Sequence, residues 1–400
     1  METVVGAPRV LVDRAITGPG FVRVHNGQIV EVGSGTGPSA EVFGSGLVTP
    51  GLVDIQVNGA FGIDFAEADE QSMRLVATSL PSTGVTSFLP TLITAPVPVI
   101  LEQAHNVLAA ARGLDGIPAA RSLGVHLEGP FLSPVRHGVH EPDLMALPTP
   151  ELVDLILSDT TVMSALRMVT VAPELSGALE FIRRLVDAGV LVSVGHTDAT
   201  AAQVKLAGDA GARMVTHLFN AQRPLGHREP GVPGAALVDP RFTLGLIADL
   251  AHVAADICKL VFQLASDRVA LVTDAVAAAG MPPGRYQLGG EDVLLTDDGV
   301  PRSPTGTIAG SALTLDRAVR NIISIGVDPA VALCAATVIP ANVIGEPTLG
   351  RIAPGARADL VWWDEDMRPR KVWIAGEVVF DAADPAQVGA RDAAMAFRAG

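Results

Sequence analysis

Histidines, carboxylates and carboxamides recur where apolar, β-branched runs stop. Gln56 and Asn58 close LVDIQV, His126 and Glu128 close SLGVHL, His196 follows LVSVG, and His217 ends RMVTH. Asp249 and His252 follow TLGLIA, and Asp274 follows VALVT. Glu128, His196 and His217 supply one carboxylate and two imidazoles, a common open set for a catalytic divalent cation such as zinc. Such a cation keeps a position for water and lowers that water's pKa towards neutrality. Asp274 is the natural partner, able to take a proton from water and pass it to a leaving amine. His252 is suited to polarise a carbonyl or to hold a substrate. Taken singly, each residue has a plainer reading. A lone buried His is usually a hydrogen-bonded core residue, and an Asp after a strand is often a helix N-cap. Thr197 and Asp198 offer such capping beside His196. The joint recurrence at run ends is what favours a metal site.

The elements that must position these residues are legible as alternation. The runs at 52–57, 85–89, 122–127, 168–172, 191–195, 213–217, 243–248 and 269–273 are each followed by a loop and, mostly, by a helix-like stretch such as 67–80, 178–188 or 200–210. Repeated βα units imply a parallel sheet, and this number of them suggests a closed (β/α)8, TIM-like barrel whose strand C-termini share one face. A doubly wound open sheet is the alternative. No G-x-G-x-x-G follows the first run, which weakens its nucleotide-binding form. Residues 8–48 differ, with short apolar runs separated by glycines and an Asn26-Gly27 hairpin signal. The tail is similar, with ADLVWWD and then RKVWIAGEVVFD turning at Gly376. The expected organisation is a small β-sandwich domain from both ends (1–48 and 346–400) around a barrel at 49–345.

Composition narrows the partners. Of the 400 residues, 48% are apolar, ample for a buried core, and the net charge of -15 argues against nucleic acid as a ligand. Lysine occurs only at Lys205, Lys259 and Lys371, so any anion site must rest on arginine. The most apolar long stretch, 244–265, carries Asp249, His252, Asp256 and Lys259, too polar for a membrane span. Two distant cysteines, Cys258 and Cys334, make no disulfide framework, and the first residues lack a secretory pattern. A cytoplasmic protein is expected.

Two loops stand out. HLFNAQRPLGHREPG, after His217, gathers Arg223, His227 and Arg228 in an otherwise acidic chain, and arginine suits phosphate or carboxylate. Its plain reading is a solvated loop with Arg228 paired to Glu229. GPFLSPVRHGVHEPD, after Glu128, is long enough to be a lid placing His140 over a substrate, or an ordinary irregular connection.

PGLVDIQVNG, HLEGPF, VGHTDA, THLFNA with GHREPG, LVTDAVAAAG and TIAGSALTLDRAV, in that order from about residue 45 to 360, resemble the N-acetylglucosamine-6-phosphate deacetylases of the amidohydrolase superfamily. The resemblance implies a barrel with a small β domain, a homodimer, and removal of acetate from the phosphosugar. It implies Glu128, His196 and His217 as metal ligands, Asp274 as general base and acid, and His252 as a residue that polarises the acetamide. It implies sugar or phosphate contacts from Val139, His140, Asn220, Ala221, Ile308, Ala309 and Gly310, and a phosphate contact from Arg228 of the neighbouring subunit. Most of the superfamily carries His-x-His at the end of the first strand for a second metal, whereas Gln56-x-Asn58 stands here. Carboxamides bind divalent metals poorly beside imidazole. One divalent ion per subunit is therefore expected, zinc first, with iron, cobalt or manganese as alternatives. The competing functions are another amidohydrolase, such as an aminoacylase or a dihydroorotase-like enzyme, and a non-catalytic sugar-phosphate-binding homologue.

Overall fold

In the computed structural model, which describes residues 2–35, 37 and 41–384, each of the β-branched runs becomes a parallel strand. These are Leu52–Val57, Val85–Ile93, Val125–Glu128, Leu166–Val171, Leu191–Val194, Met214–Val215, Thr243–Ile247 and Val269–Val272. Each pairs with the next in chain order. The eighth returns to the first through a Val57–Ala275 bridge and an Asp274 N–H bond to the Gln56 carbonyl (2.9 Å). Buried Asp54 fastens the same seam, accepting from the Thr273 hydroxyl at 2.7 Å and from its N–H at 3.2 Å. The (β/α)8 architecture is thus present. The second strand runs past 89 to Ile93 with Pro90 inside it. Register shifts between Phe88 and Pro90 against the first strand, and a residue without an N–H is tolerated at such an irregularity.

Local signals start the outer helices. Asp69 accepts from the Ser72 N–H at 2.8 Å before Glu70–Ser79, and Thr200 and Gln203 cap each other's backbone before Ala201–Asp209. No helix among the described residues is long and apolar enough to cross a membrane.

Both chain ends build one further β unit. Leu47–Pro50 pairs antiparallel with Leu360–Trp363, in a sheet that also holds Val10–Val12, Ala15–Thr17, Pro369–Ile374 and Glu377–Asp381. A second sheet holds Glu2–Ala7, Gly20–His25, Gln28–Ser34 and Glu41–Val42. Val5, Val22, Ile29, Val48, Leu360 and Trp373 share its core, so residues from both ends bury the same apolar surface. Asn26 and Gly27 take φ of 50° and 77°, the left-handed pair that a two-residue hairpin turn needs. We propose dividing the chain into this unit, 1–48 with 346–400, and a barrel at 49–345; residues 1, 36, 38–40 and 385–400 of that division lie outside the described ones.

The barrel interior has a polar layer below its mouth. His126 bonds Thr91 Oγ1 at 3.1 Å and Thr170 Oγ1 at 2.8 Å; Thr170 bonds Thr216 at 2.8 Å, and Thr216 bonds Ser193 at 2.6 Å. His126 and Glu128 share the inward face of one strand, so His126 sits a layer deeper and does not reach the mouth. Burial pushes its imidazole down to about 4, so it is neutral there. Gly195 closes over this layer directly before His196. A Cβ at Gly195 would lie 2.7 Å from Thr170 Cγ2 and 2.7 Å from Thr216 Cβ. Gly195→Ala is expected to cost about 1–3 kcal/mol by overpacking. Calorimetry checks this, and an unchanged melting temperature would show that the layer yields freely.

Candidate functional site

The strand ends deliver their polar residues in an unusual backbone state. His196, His217 and Asp274 have φ of 45°, 26° and 49°, the left-handed region that side chains disfavour. Each such residue costs on the order of 1–3 kcal/mol and persists only where its surroundings hold it. Here they do. The His196 carbonyl accepts from Ser133 N–H at 2.8 Å, the Asp274 carbonyl accepts from Ser311 N–H at 2.9 Å, and the Leu218 N–H after His217 donates to the Gly245 carbonyl at 2.7 Å.

The result is a triangle of ligand atoms. His196 Nε2 and His217 Nε2 stand 3.1 Å apart, with Glu128 Oε1 3.1 Å from the second and 3.4 Å from the first. All three residues are buried, and they form a group able to hold a metal ion. Tetrahedral ligands about 2.0–2.1 Å from a cation stand about 3.3 Å apart, which is this spacing. His196 Nδ1 donates to the Arg136 carbonyl at 3.0 Å, which directs its Nε2 lone pair at the other two atoms. Burial opposes ionisation of Glu128, but the hydrogen bonds and charges of His196 and His217 override it and hold the carboxyl well below its usual range. Burial also opposes charge on His217, and the Glu128 carboxylate overrides it, pushing the imidazole up to about 9. The donor set fits a divalent cation.

Asp274 lies beside this triangle. Its Oδ1 accepts from Asn58 Nδ2 at 2.7 Å and from Gln56 Nε2 at 3.2 Å, and the same Gln56 amide reaches Glu128 Oε1 at 3.2 Å. Gln56 and Asn58 thus both act as donors, Gln56 bridging the two carboxylates and Asn58 serving Asp274 alone. Burial and then the Glu128 charge push the Asp274 carboxyl up to about 6, against the opposing pull of His217 and Asn58. A carboxyl near neutrality can both take and give a proton.

His252 donates Nδ1–H to Asp249 Oδ2 at 2.6 Å, with Asp249 Oδ1 also accepting the His252 N–H at 2.8 Å. Its Nε2 is left for the cavity. His140 is buried, its Nδ1 2.8 Å from Thr94 Oγ1 and its ring 4.3 Å from that of His196. A cavity of about 220 Å³ is lined by Asn58, Glu128, Val139, His140, His196, His217, Asn220, Ala221, His252, Asp274, Ile308 and Gly310. Gln56 lies behind its wall, and Ala309 turns instead into a small apolar cluster with Leu288 and Val293.

Arg228 is exposed and does not line this cavity. Glu229 does not pair with it: that carboxylate accepts from the Ala201 and Gly231 N–H groups. Arg223 is committed to Asp198, at 2.5 Å, together with Arg136 at 2.8 Å, so it is no free anion ligand, whereas His227 and Arg228 of the same loop are exposed. Sequence reasoning assigned no role to Asp249, Thr94 or Asp54. The i, i+3 spacing of Asp249 and His252 was a usable signal; the other two act across strands and left none. It also missed Ile93, Leu288 and Thr307 in the cavity wall.

The profile of the amidohydrolase family matches residues 47–379. N-acetylgalactosamine-6-phosphate deacetylase of Escherichia coli O157:H7 is 40% identical, over 83% of this chain and 87% of its own. N-acetylglucosamine-6-phosphate deacetylase of Bos taurus is 37% identical, over 85% of each. Among solved structures, an aspartate-to-alanine mutant of N-acetyl-D-glucosamine-6-phosphate deacetylase from Mycobacterium smegmatis, in complex with N-acetyl-D-glucosamine-6-phosphate, superposes with a TM-score of 0.89. It is 37% identical, covering 94% of this chain and 99% of that one.

The ligand triangle predicts about one divalent ion per chain in the purified protein, by elemental analysis. His217→Ala is expected to lose it while keeping the fold by circular dichroism. Full metal content in that variant would remove His217 from the ligand set.

Proposed function

The chain belongs to the amidohydrolase family, and we propose that it hydrolyses the acetamide of N-acetyl-D-glucosamine 6-phosphate to acetate and D-glucosamine 6-phosphate. The observation that carries this reading is the buried convergence of Glu128, His196 and His217 beside Asp274, in a chain 37% identical over 85% of its length to such a deacetylase. The 40% identical relative named for N-acetylgalactosamine 6-phosphate supports the C4 epimer as a second substrate reading. The intact ligand set and Asp274 speak against a non-catalytic homologue.

Glu128, His196 and His217 would hold the cation, zinc first for this donor set. When bound, such an ion supplies Lewis acidity, making water more acidic and a carbonyl more electrophilic. Asp274 manages the protons. With Oδ1 taken up by Gln56 and Asn58, Oδ2 is the oxygen that accepts a proton as water attacks the acetyl carbon. It then gives that proton to the amide nitrogen as the C–N bond breaks and the amine leaves. His252, fixed through Asp249, lines the cavity with its Nε2 edge, the place from which it polarises the acetamide carbonyl as charge builds on the oxygen. His140, Val139 and the Ile308–Gly310 segment bound the space for the sugar, and Asn220 and Ala221 the space next to the metal ligands.

The phosphate end needs a cation. Among the described residues lining the cavity there is no lysine or arginine. Arg228 is exposed on the loop that follows Asn220 and Ala221, and it makes no ion pair among the described residues. We assign the phosphate contact to Arg228 of a neighbouring subunit in a homodimer. We assign the enzyme to the cytoplasm, a reading supported by two buried, unpaired cysteines.

Acetate release from both N-acetylated phosphosugars, with a chelator control, tests the function directly. Chelator-sensitive release is expected from the wild type, with Asp274→Asn losing most turnover while still binding substrate. Near-normal turnover in that variant would falsify the proton role. Arg228→Ala is expected to raise KM for the phosphorylated sugar roughly 10- to 100-fold, the effect of a lost charged hydrogen bond, and to leave the dephosphorylated sugar unaffected. Equal effects on both sugars would remove the phosphate contact.

A further inference from the structure

The loop after the eighth strand is not a simple connection. It begins at Asp274 and contains an antiparallel hairpin, Gly284–Leu288 with Glu291–Leu295. Leu294 then exchanges backbone bonds with Arg302, and Arg302 bridges to Ile308. This small sheet has its own apolar cluster, Val276, Ala278, Leu288, Val293, Leu295 and Ala309, packed on Ile93 and Val139. Leu288, Ile93, Val139 and Ile308 also line the cavity, so the sheet forms one of its walls.

What fastens the hairpin to the barrel is a single polar tie among the described residues. Asp64, in the loop after the first strand, is buried and accepts the Gly289 N–H on Oδ2 at 2.5 Å. Its Oδ1 accepts the Ala66 N–H at 2.9 Å, which fixes the carboxylate. Gly289 is the hairpin turn and the residue next to Leu288. Its φ is 59°, and a Cβ there would lie 2.5 Å from Ile93 Cδ1, so the turn is seated directly on the cavity wall. A hairpin joined to the rest of its loop by the Leu294–Arg302 pair and to the barrel, among the described residues, by a small apolar cluster and one charge-assisted hydrogen bond opens at far lower cost than the barrel beneath it.

We propose that Asp64 is a positioning residue that latches the 284–295 hairpin over the cavity through the Gly289 N–H, and that this latch sets substrate affinity. The second half rests on the deacetylase reading; the latch itself does not. Asp64 touches neither the ligand triangle nor Asp274 Oδ1, so its loss acts on binding and leaves proton transfer in place.

Hydrogen–deuterium exchange and steady-state kinetics on the full-length, metal-loaded protein test both halves. Asp64→Ala is expected to speed exchange across 284–295 while the barrel strands keep their protection. It is expected to raise KM for acetate release roughly tenfold, the effect of one charge-assisted hydrogen bond, with kcat changed less than about threefold. Gly289→Ala leaves the carboxylate and its bond to Ala66 intact but drives a methyl into Ile93, so the same pair of effects is expected by an independent route. Unchanged exchange at 284–295 in both variants overturns the latch. Faster exchange with unchanged KM overturns its role in binding, as does a fall confined to kcat. A wild type that releases no acetate from either phosphosugar overturns the deacetylase reading and, with it, the affinity half. The exchange comparison then still decides the latch.

Discussion

Three electron-rich atoms, two imidazole nitrogens and a carboxylate oxygen, are held 3.1–3.4 Å apart in a buried place. The rest of the molecule is organised around that demand. Unassisted, such atoms repel or recruit protons, and burial denies them the water that would soften either course. Only a rigid frame can keep them converged. The parallel barrel supplies it by ending its third, fifth and sixth strands at one mouth, and by fixing His196 and His217 in left-handed backbone through bonds from neighbouring loops. Gly195 belongs to the same requirement, since any side chain there would collide with the layer on which His196 rests.

The carboxamides at 56 and 58 follow from the same electrostatics. Glu128 and Asp274 are two buried carboxyls joined through one amide nitrogen, Gln56 Nε2, at 3.2 Å from each. Imidazoles at 56 and 58 would bring two more lone pairs to this corner and extend the metal site. Amide N–H groups do the opposite. They donate to Asp274 Oδ1 and to Glu128, spread the negative charge, and leave Oδ2 of Asp274 without a hydrogen-bond partner among the described residues. The seam that closes the barrel lies directly beneath, where Asp54 binds Thr273. The position of Asp274 is therefore set by the closure of the fold itself.

Much of this was legible in the residues. Parallel strands read as β-branched runs because both faces are buried, and their polar ends read as a site because barrel strand ends converge. Asn26-Gly27 read as a hairpin because few other pairs accept two left-handed residues. His126 shows the limit. By type and position it matched the site residues, but the two-residue period of a strand put it one layer deeper, paired to Thr91 and Thr170. Arg223 shows another. Its charge was visible, but its commitment to Asp198, 25 residues away, is a property of the fold. The hairpin tie between Asp64 and Gly289, 225 residues apart, has no local pattern at all. Contacts within one element leave a period or a spacing, whereas contacts between distant loops leave only the finished geometry.

The cavity is chemically lopsided in a way that bears on assembly. Its floor is rich in acid and imidazole, its outer wall is apolar, and neither offers a lysine or arginine among the described residues. A phosphomonoester entering it brings more negative charge towards Glu128 and Asp274. Desolvating that charge without a cation would cost more than the sugar contacts return. The nearby arginines on the His217 loop divide into two kinds: Arg223 is neutralised by Asp198, while Arg228 stands exposed with no ion pair among the described residues. An arginine left exposed on the loop that follows Asn220 and Ala221, rather than folded onto the many carboxylates of a chain of net charge -15, is free to serve the neighbouring site proposed above. In the homodimer proposed above, a two-fold axis would satisfy that need reciprocally, each chain lending the cation that the other's cavity lacks.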